Sequence, residues 1–181
     1  PKERRGKDGI VSDIVIKDIG ITREHALKLL REYIKNENLI KHHLSVEAQM
    51  KALAEYFIQK GQKNVNKDAW GIAGLLHDMD WEKTESDPKK HSMMSSELLN
   101  KKGVHPAIVN AIKVHNHIHG IEPKTLLERA LYTAEELTGI VTAAALVRPD
   151  KKLVSVEIKS ILKKFKDKSF ARGVNRDIIL K

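Results

Sequence analysis

Apolar residues recur every three to four positions along most of this 181-residue chain, which is the spacing of one face of an α-helix. No run of valine, isoleucine and threonine alternates with polar residues as a half-buried strand would. Helix start and stop signals punctuate the periodic stretches: Thr22 as an N-cap, Gly61 as a stop, and Pro106 and Pro123 close to helix starts. The pattern predicts an all-α fold, a single helical bundle of about six to eight helices.

These signals also set the predicted helix boundaries. The helices are predicted over residues 22–35, 39–60, 68–77, 88 to the stop at 103, 106–115 or 117, 123–147 and 155–166. Asp87 and Pro88 are read as the cap and first residue of the fourth helix, and Ser155 as the cap of the last. Residues 1–20 are predicted to be an N-terminal tail or lead-in. Residues 21–181 are predicted to form one domain that includes a basic C-terminal segment.

The composition limits which metal ligands and which classes of partner the chain can have. The chain has no cysteine, so any metal site must be built from imidazole and carboxylate groups. A net charge of +9 favours anionic partners, with a lysine-rich solvated surface as the alternative, and aromatic residues make up only 4% of the chain, so base-stacking platforms are scarce. A small phosphorylated partner is therefore favoured over nucleic acid. No apolar stretch could span a bilayer and no secretory signal is evident, which predicts a cytoplasmic protein without a membrane partner.

Histidines fall on the apolar faces of several predicted helices. On the second helix, His42 shares a face with Val46 and Met50, whereas His43 is rotated toward Glu47 and Lys51, the side predicted to be wetter. Four predicted helices each direct one imidazole toward the core: His42, His77, His91 and His115.

The dipeptide His77-Asp78 closes a buried apolar run that starts at Trp70 and puts an imidazole next to a carboxylate, and both can ligate one divalent cation. Burying several polar rings without a shared partner costs about 1–3 kcal/mol for each unsatisfied group. A metal satisfies them together, which favours one metal site over four separate core histidines. Asp80 and Glu82 either support this site or cap the turn after it. Surface or capping roles are predicted for His25, His105, His117 and His119, with the mouth of a cleft as an alternative place for His117 and His119.

Several segments resemble those of the HD superfamily of metal-dependent phosphohydrolases. The core resemblance is carried by KHHLSV (41–46), GLLHD (74–78) and LYTAEELTG (131–139). DPKKH (87–91) and VHN (114–116) are similar to the extra histidine segments of HD proteins that hold two metals. The similarity covers about residues 20–177, with a C-terminal segment typical of a small bacterial and archaeal subgroup. It implies a helical bundle in which these segments converge on one cleft.

The resemblance also implies a ligand set. The implied metal ligands are His42, His77, Asp78 and Glu135, with His91 and His115 completing a second site. The family usually has Asp at the last ligand position, and here Glu136 stays open as the alternative to Glu135. The implied cofactor is one or two divalent ions of Mn, Fe, Ni, Co or Zn, with Mg less favoured because of the imidazoles.

The implied activity is hydrolysis of a nucleotide or another small phosphoester by a metal-activated water. His77 and Asp78 would act in catalysis, together with His91 and His115, which could alternatively stay metal-free and contact the phosphate or protonate the leaving oxygen. Basic residues are expected to bind the anionic substrate: Arg148 first, then Lys152, Arg172 and Arg176. The alternatives are a metal-containing nucleotide-binding regulatory module with little turnover, which the Glu at position 135 favours, and a nucleic-acid-binding helical domain.

Overall fold

The computed structural model describes residues 15–180. Within that range the regular elements are α-helices and 3-10 helices, and there is no β-strand, which confirms the predicted all-α class. The α-helices are α1 (Arg23–Tyr33), α2 (Glu37–Gln59), α3 (Lys67–Leu76), α4 (Trp81–Thr84), α5 (Met93–Lys101), α6 (Pro106–His115), α7 (Leu126–Leu146), α8 (Ile158–Lys166) and α9 (Arg176–Ile179). Most of the predicted N-terminal tail lies outside the described residues. None of the described helices is both long enough and apolar enough to cross a membrane.

Two predicted helix starts are confirmed by their capping geometry. The Thr22 side chain accepts a hydrogen bond from the His25 backbone N–H at 3.2 Å, at the start of α1. Pro106 is the first residue of α6, and the preceding His105 accepts the Ala107 N–H on its Nδ1 at 3.2 Å. This contact also confirms the capping role predicted for His105.

The predicted start of the fourth helix at Asp87 and Pro88 is wrong. Residues 88–92 form turns, and α5 begins at Met93. The reason is the backbone of Ser92, which has a φ of 67° in the left-handed region and so interrupts a right-handed helix. His91 therefore lies in a turn that precedes α5 and not on the helix itself.

The chain divides into two compact units, the first ending at Tyr132 and the second beginning at Thr133. Helix α3 is the centre of the first unit: every residue from Ala69 to Leu76 is buried, and the helix packs against α1, α2 and α6. Gly74 allows the close approach of α2, because a Cβ at this position would lie 2.8 Å from the Val46 carbonyl oxygen. This contact holds the C-terminal end of α3 against the middle of α2.

The second unit contains the C-terminal part of α7, then α8 and α9. Its segments are connected by Arg176, whose guanidinium donates hydrogen bonds to the carbonyl oxygens of Phe165 at 2.7 Å and Phe170 at 2.5 Å. Ser155 was predicted to cap the last amphipathic helix, which is wrong: it ends a short 3-10 helix, and Glu157 precedes α8.

Candidate metal centre

His42 and His77 face each other across the contact between α2 and α3. Their Nε2 atoms are 3.3 Å apart and their ring centroids 5.2 Å apart. At this separation the two nitrogens can share one proton in a hydrogen bond, or both can ligate one cation. The close approach at Gly74 places them together, since His77 follows α3 directly and His42 lies one turn before Val46 on α2.

Asp78 lies between two sets of imidazoles. Its Oδ2 is 3.4 Å from Nε2 of His77, whereas its Oδ1 is 3.0 Å from Nε2 of His91 and 2.9 Å from Nε2 of His115. The carboxylate side chain of Asp78 is 13% exposed, whereas the side chains of His77 and His115 are fully buried. The structure therefore brings five of the six sequence-predicted ligands into one cluster around Asp78, namely His42, His77, Asp78, His91 and His115.

The cluster contains two groups of potential ligands that share Asp78. One group is His42, His77 and Asp78, and the other is Asp78, His91 and His115. Two ligands at about 2.1 Å from one cation lie about 3.0–3.4 Å apart at octahedral or tetrahedral angles. The separations of His42 from His77 and of Asp78 from the other three rings, 2.9–3.4 Å, lie close to those distances, and the ligand atoms of each group all lie within 4.8 Å of one another. The donor atoms thus suit a divalent ion in spacing as well as in chemistry.

Helix ends orient two of these rings. Gly74 and Ile112 carry two of the last carbonyl groups of α3 and α6, which have no intrahelical N–H partner. His77 donates its Nδ1–H to the Gly74 oxygen at 2.8 Å, and His115 donates its Nδ1–H to the Ile112 oxygen at 2.6 Å. With Nδ1 protonated, a neutral ring presents the lone pair of Nε2 toward Asp78, the arrangement seen in metal-ligating histidines.

His43 is placed differently from its prediction. It is buried, and its Nδ1–H donates to the Leu75 carbonyl oxygen at 2.9 Å. Glu47, predicted on the same wetter side, is also buried, and its carboxylate accepts hydrogen bonds from Arg23 at 2.6 Å and Lys51 at 2.7 Å. The prediction was wrong because α2 is covered over a wider arc than its apolar stripe, and charged partners compensate the burial of Glu47.

Burial keeps two adjacent imidazoles neutral. It lowers the pKa of His42 to about 4, with a further lowering by the neighbouring His77. Burial also lowers the pKa of His43 to about 3. Both rings are therefore uncharged near pH 7, and neutral imidazole is the form that ligates a metal.

The carboxylates of the cluster attract positive charge. Burial raises the pKa of Asp78, but His77, His115 and His91 outweigh it and hold the pKa well below its usual range. Burial lowers the pKa of His91, but its hydrogen bonds to Asp78 and Asp80 outweigh burial and raise the pKa to about 10. The centre of the cluster thus favours a positive charge, whether a proton on His91 or a metal cation.

The two acidic residues that follow Asp78 have different roles. Asp80 is fully buried and accepts the Nδ1–H of His91 at 2.9 Å, so it supports the cluster. Glu82 instead caps backbone N–H groups at the start of α2, accepting from Lys35 at 2.9 Å and Asn36 at 2.7 Å. Both residues were predicted either to support the site or to cap the turn that follows His77-Asp78. Asp80 supports the site, whereas Glu82 does neither, because it caps the start of α2.

The predicted acidic ligand lies on α7 in the second unit. Glu135 and Glu136 are both half-buried there. Glu136 accepts a hydrogen bond from the Asn175 backbone N–H at 2.8 Å, a contact within the second unit. The role of Glu135 as a metal ligand, with Glu136 as its alternative, stays a prediction.

The predicted substrate-binding residues also belong to the second unit. Arg148 donates to the Asp150 carboxylate at 3.2 Å, and Arg176 has the carbonyl contacts described above. Lys152 and Arg172 are exposed. Their roles in substrate binding stay predictions, and Arg176 has in addition a structural role that the sequence did not indicate.

Comparison with known proteins identifies no relative: no protein-family model, no curated protein and no solved structure matches this chain. The resemblance to the HD superfamily therefore remains a prediction from the sequence segments quoted above. The structure itself shows an all-α chain with a cluster of histidine and aspartate side chains able to hold a metal ion.

Proposed function

We propose that this protein is a metal-dependent phosphohydrolase that acts on a nucleotide or another small phosphoester. The observation that carries the proposal is the convergence of four imidazole rings on the Asp78 carboxylate, all from residues the sequence singled out. The separately noted resemblance of these segments to HD proteins supplies the reaction class. The net charge of +9 is consistent with a phosphorylated substrate.

The two ligand groups suggest which residues would hold each ion. His42, His77 and Asp78 would hold one ion, and Asp78, His91 and His115 a second. These residues would hold a divalent cation, which would supply Lewis-acid chemistry by polarising a phosphoryl oxygen and by lowering the pKa of a water molecule toward neutral pH. Asp78 would belong to both ion sites, because its Oδ2 faces His77 while its Oδ1 faces His91 and His115.

If only one ion binds, the second group has another use. His91 and His115 would then contact the phosphate through Nε2 or donate a proton to the leaving oxygen. Arg148, Lys152, Arg172 and Arg176 remain the candidates for binding the anionic substrate. Glu135 remains the proposed acidic ligand, and its extra methylene group relative to Asp is the reason to keep a regulatory, nucleotide-binding module as the second candidate.

Turnover of bis-p-nitrophenyl phosphate and of a nucleotide panel with added Mn²⁺ tests the proposal. We expect hydrolysis by the wild type, and a loss of at least about 100-fold in His77→Ala and Asp78→Ala because each removes a ligand. His25→Ala is the matched control, since His25 is exposed on α1 and should leave the rate unchanged. Tight nucleotide binding without turnover would favour the regulatory module, and failure to retain any divalent ion would refute both.

A further inference from the structure

His91 is the one histidine of the cluster that no helix holds in place. It lies in the turns that precede α5, whereas His42 lies within α2, and His77 and His115 lie at the ends of α3 and α6. A ligand on a turn has no helical frame to fix its ring. It nevertheless is buried, with its Nε2 3.0 Å from Asp78 Oδ1. Other contacts must therefore set its orientation.

Asp80 fixes the ring and the backbone that follows it. Its Oδ1 accepts the Nδ1–H of His91 at 2.9 Å and the backbone N–H of Ser92 at 3.3 Å. Its Oδ2 accepts the backbone N–H of Ser95 at 2.8 Å, in the first turn of α5. One buried carboxylate thus ties the His91 ring to the start of the next helix. The left-handed φ of 67° at Ser92 is held by these contacts.

Two residues that follow α6 fix the other side of His91. The His91 carbonyl oxygen accepts a hydrogen bond from Nε2 of His119 at 2.9 Å and another from Nδ2 of Asn116 at 3.2 Å. Asn116 is buried and also donates to the Pro88 carbonyl oxygen at 3.0 Å, so it holds the turn at two points. The contact of His119 with this carbonyl was not predicted from the sequence, which gave His119 a surface or capping role or a place at the mouth of a cleft.

From these contacts we infer that Asp80, Asn116 and His119 form a His91 clamp, a set of positioning residues that enables the Asp78–His91–His115 group to bind a divalent cation. The inference rests on the proposed function for the presence of a metal. Asp80 holds the His91 ring with its Nε2 facing Asp78, and the other two residues fix the peptide that carries the ring. Partners of this kind typically change metal affinity 10–100-fold when they are lost.

The clamp is tested by titrating the purified full-length chain with Mn²⁺ and by counting the ions retained after dialysis. We expect two ions per wild-type chain and one in His91→Ala, which identifies the ion bound by the second group. Asp80→Asn should weaken this ion 10–100-fold and leave the other ion unchanged. Asparagine has the size of aspartate but only one acceptor oxygen, so it cannot accept from both His91 and Ser95.

Glu82→Gln is the matched control, because Glu82 lies two residues further on and its carboxylate accepts hydrogen bonds from the backbone N–H groups of Lys35 and Asn36, away from His91. It should bind two ions as the wild type does. His119→Ala provides a second route if Asp80→Asn folds poorly, since His119 is half-buried and outside the α-helices. It should weaken the same ion, and His119→Gln should restore part of the affinity because its amide can donate to the His91 carbonyl.

The outcomes separate the clamp from the proposed function. Two ions bound equally well by the wild type, Asp80→Asn and His119→Ala would overturn the clamp and leave the phosphohydrolase intact. A wild type with one ion, retained in full by His91→Ala, would overturn the clamp and leave a one-ion enzyme. A wild type that binds no ion would overturn both. Selective loss of the second ion in folded Asp80→Asn, with partial recovery in His119→Gln relative to His119→Ala, supports the clamp.

Discussion

Glu47 shows how a charged residue can be part of a helical core. Its side chain is 5% exposed and is paired with Arg23 from α1 and with Lys51 one turn further along α2. Burial raises the pKa of Glu47, but these hydrogen bonds outweigh it and hold the pKa below the ordinary value of 4.5. The ionised carboxylate therefore stabilises the folded state, and the pair joins α1 to α2.

We predict that Glu47→Gln lowers the free energy of unfolding at pH 7 by about 1–3 kcal/mol, because charge-assisted hydrogen bonds are lost from a buried group. A group with a lowered folded-state pKa stabilises the protein above its unfolded-state pKa, and this contribution is lost as the pH falls through the folded-state pKa. The difference between wild type and variant should therefore shrink below about pH 4.5. Urea denaturation over a pH series measures it.

Glu55→Gln is the control for this experiment. Glu55 also lies on α2 and pairs with a lysine, Lys67, but its side chain is 50% exposed. Because exposed ion pairs contribute about 0–1 kcal/mol, this variant should stay within about 0.5 kcal/mol of the wild type. Equal effects of the two substitutions would contradict the role given to Glu47.

Single residues differ in how far the sequence predicts their environment. His42, His77 and His115 could be placed because apolar neighbours at helical spacing surround them. His43 and Glu47 could not, since periodicity assigns a charged or polar position to solvent unless its partner is known. Arg23 is 24 positions away from Glu47 in the sequence, so a local sequence pattern cannot predict that the two residues pair.

At the scale of elements, Gly74 sets how closely α2 and α3 pack. We predict that Gly74→Ala lowers the free energy of unfolding by about 1–3 kcal/mol, since its Cβ would meet the Val46 backbone and force the helices apart. The same shift should separate His42 from His77 and weaken binding of Mn²⁺. Thermal unfolding and Mn²⁺ titration measure the two effects.

Gly173→Ala is the matched control for Gly74→Ala. Nothing lies within 4 Å of the position that a Cβ would take at Gly173, and its φ is not in the left-handed region. Alanine there should leave the stability unchanged or raise it slightly, because it restricts the unfolded chain. An Mn²⁺ affinity that is unchanged in Gly74→Ala would show that the helix contact does not set the distance between His42 and His77.

Helix starts were predictable where the capping residue is local. Thr22 and Pro106 act within one turn of their own helices, and the sequence identified both. The start of α5 was not predictable, because Asp87 and Pro88 are a good local start signal. The helix instead begins after Ser92, whose backbone is held by Asp80 from an earlier part of the chain. A tertiary contact has overridden a local preference.

At the scale of the whole molecule, the fold class follows from helical periodicity and the absence of alternating runs. The convergence of the site does not follow from periodicity. It was expected from the cost of burying four imidazoles without a shared partner and from the sequence resemblance, since Asp78 and His115 are 37 residues apart in the sequence and meet at 2.9 Å. Packing of α3 against α2 and α6 brings them together. Two of the ligand rings, His77 and His115, are oriented at the ends of buried helices, by carbonyl groups that have no intrahelical partner.

The proposed metal centre should couple ion binding to the stability of the fold, because its ligands come from α2, α6 and the ends or turns after α3 and before α5. Ligand binding to the folded state stabilises by about 2.7 kcal/mol when the free ligand is at 100 times its Kd. We predict that Mn²⁺ raises the Tm of the wild type and that a chelator reverses the change. Asp78→Ala should abolish the Mn²⁺-dependent shift, since Asp78 belongs to both ligand groups.

The control for this shift is Arg148→Ala, which removes a partly exposed basic residue of the second unit that pairs with Asp150. It should leave the Mn²⁺-dependent change in Tm intact, even where it weakens substrate binding. His91→Ala should retain a smaller shift, from the ion held by His42, His77 and Asp78. Differential scanning fluorimetry over a range of Mn²⁺ concentrations distinguishes these cases. A full shift in Asp78→Ala would place the ion elsewhere, because that variant lacks the carboxylate on which both groups depend.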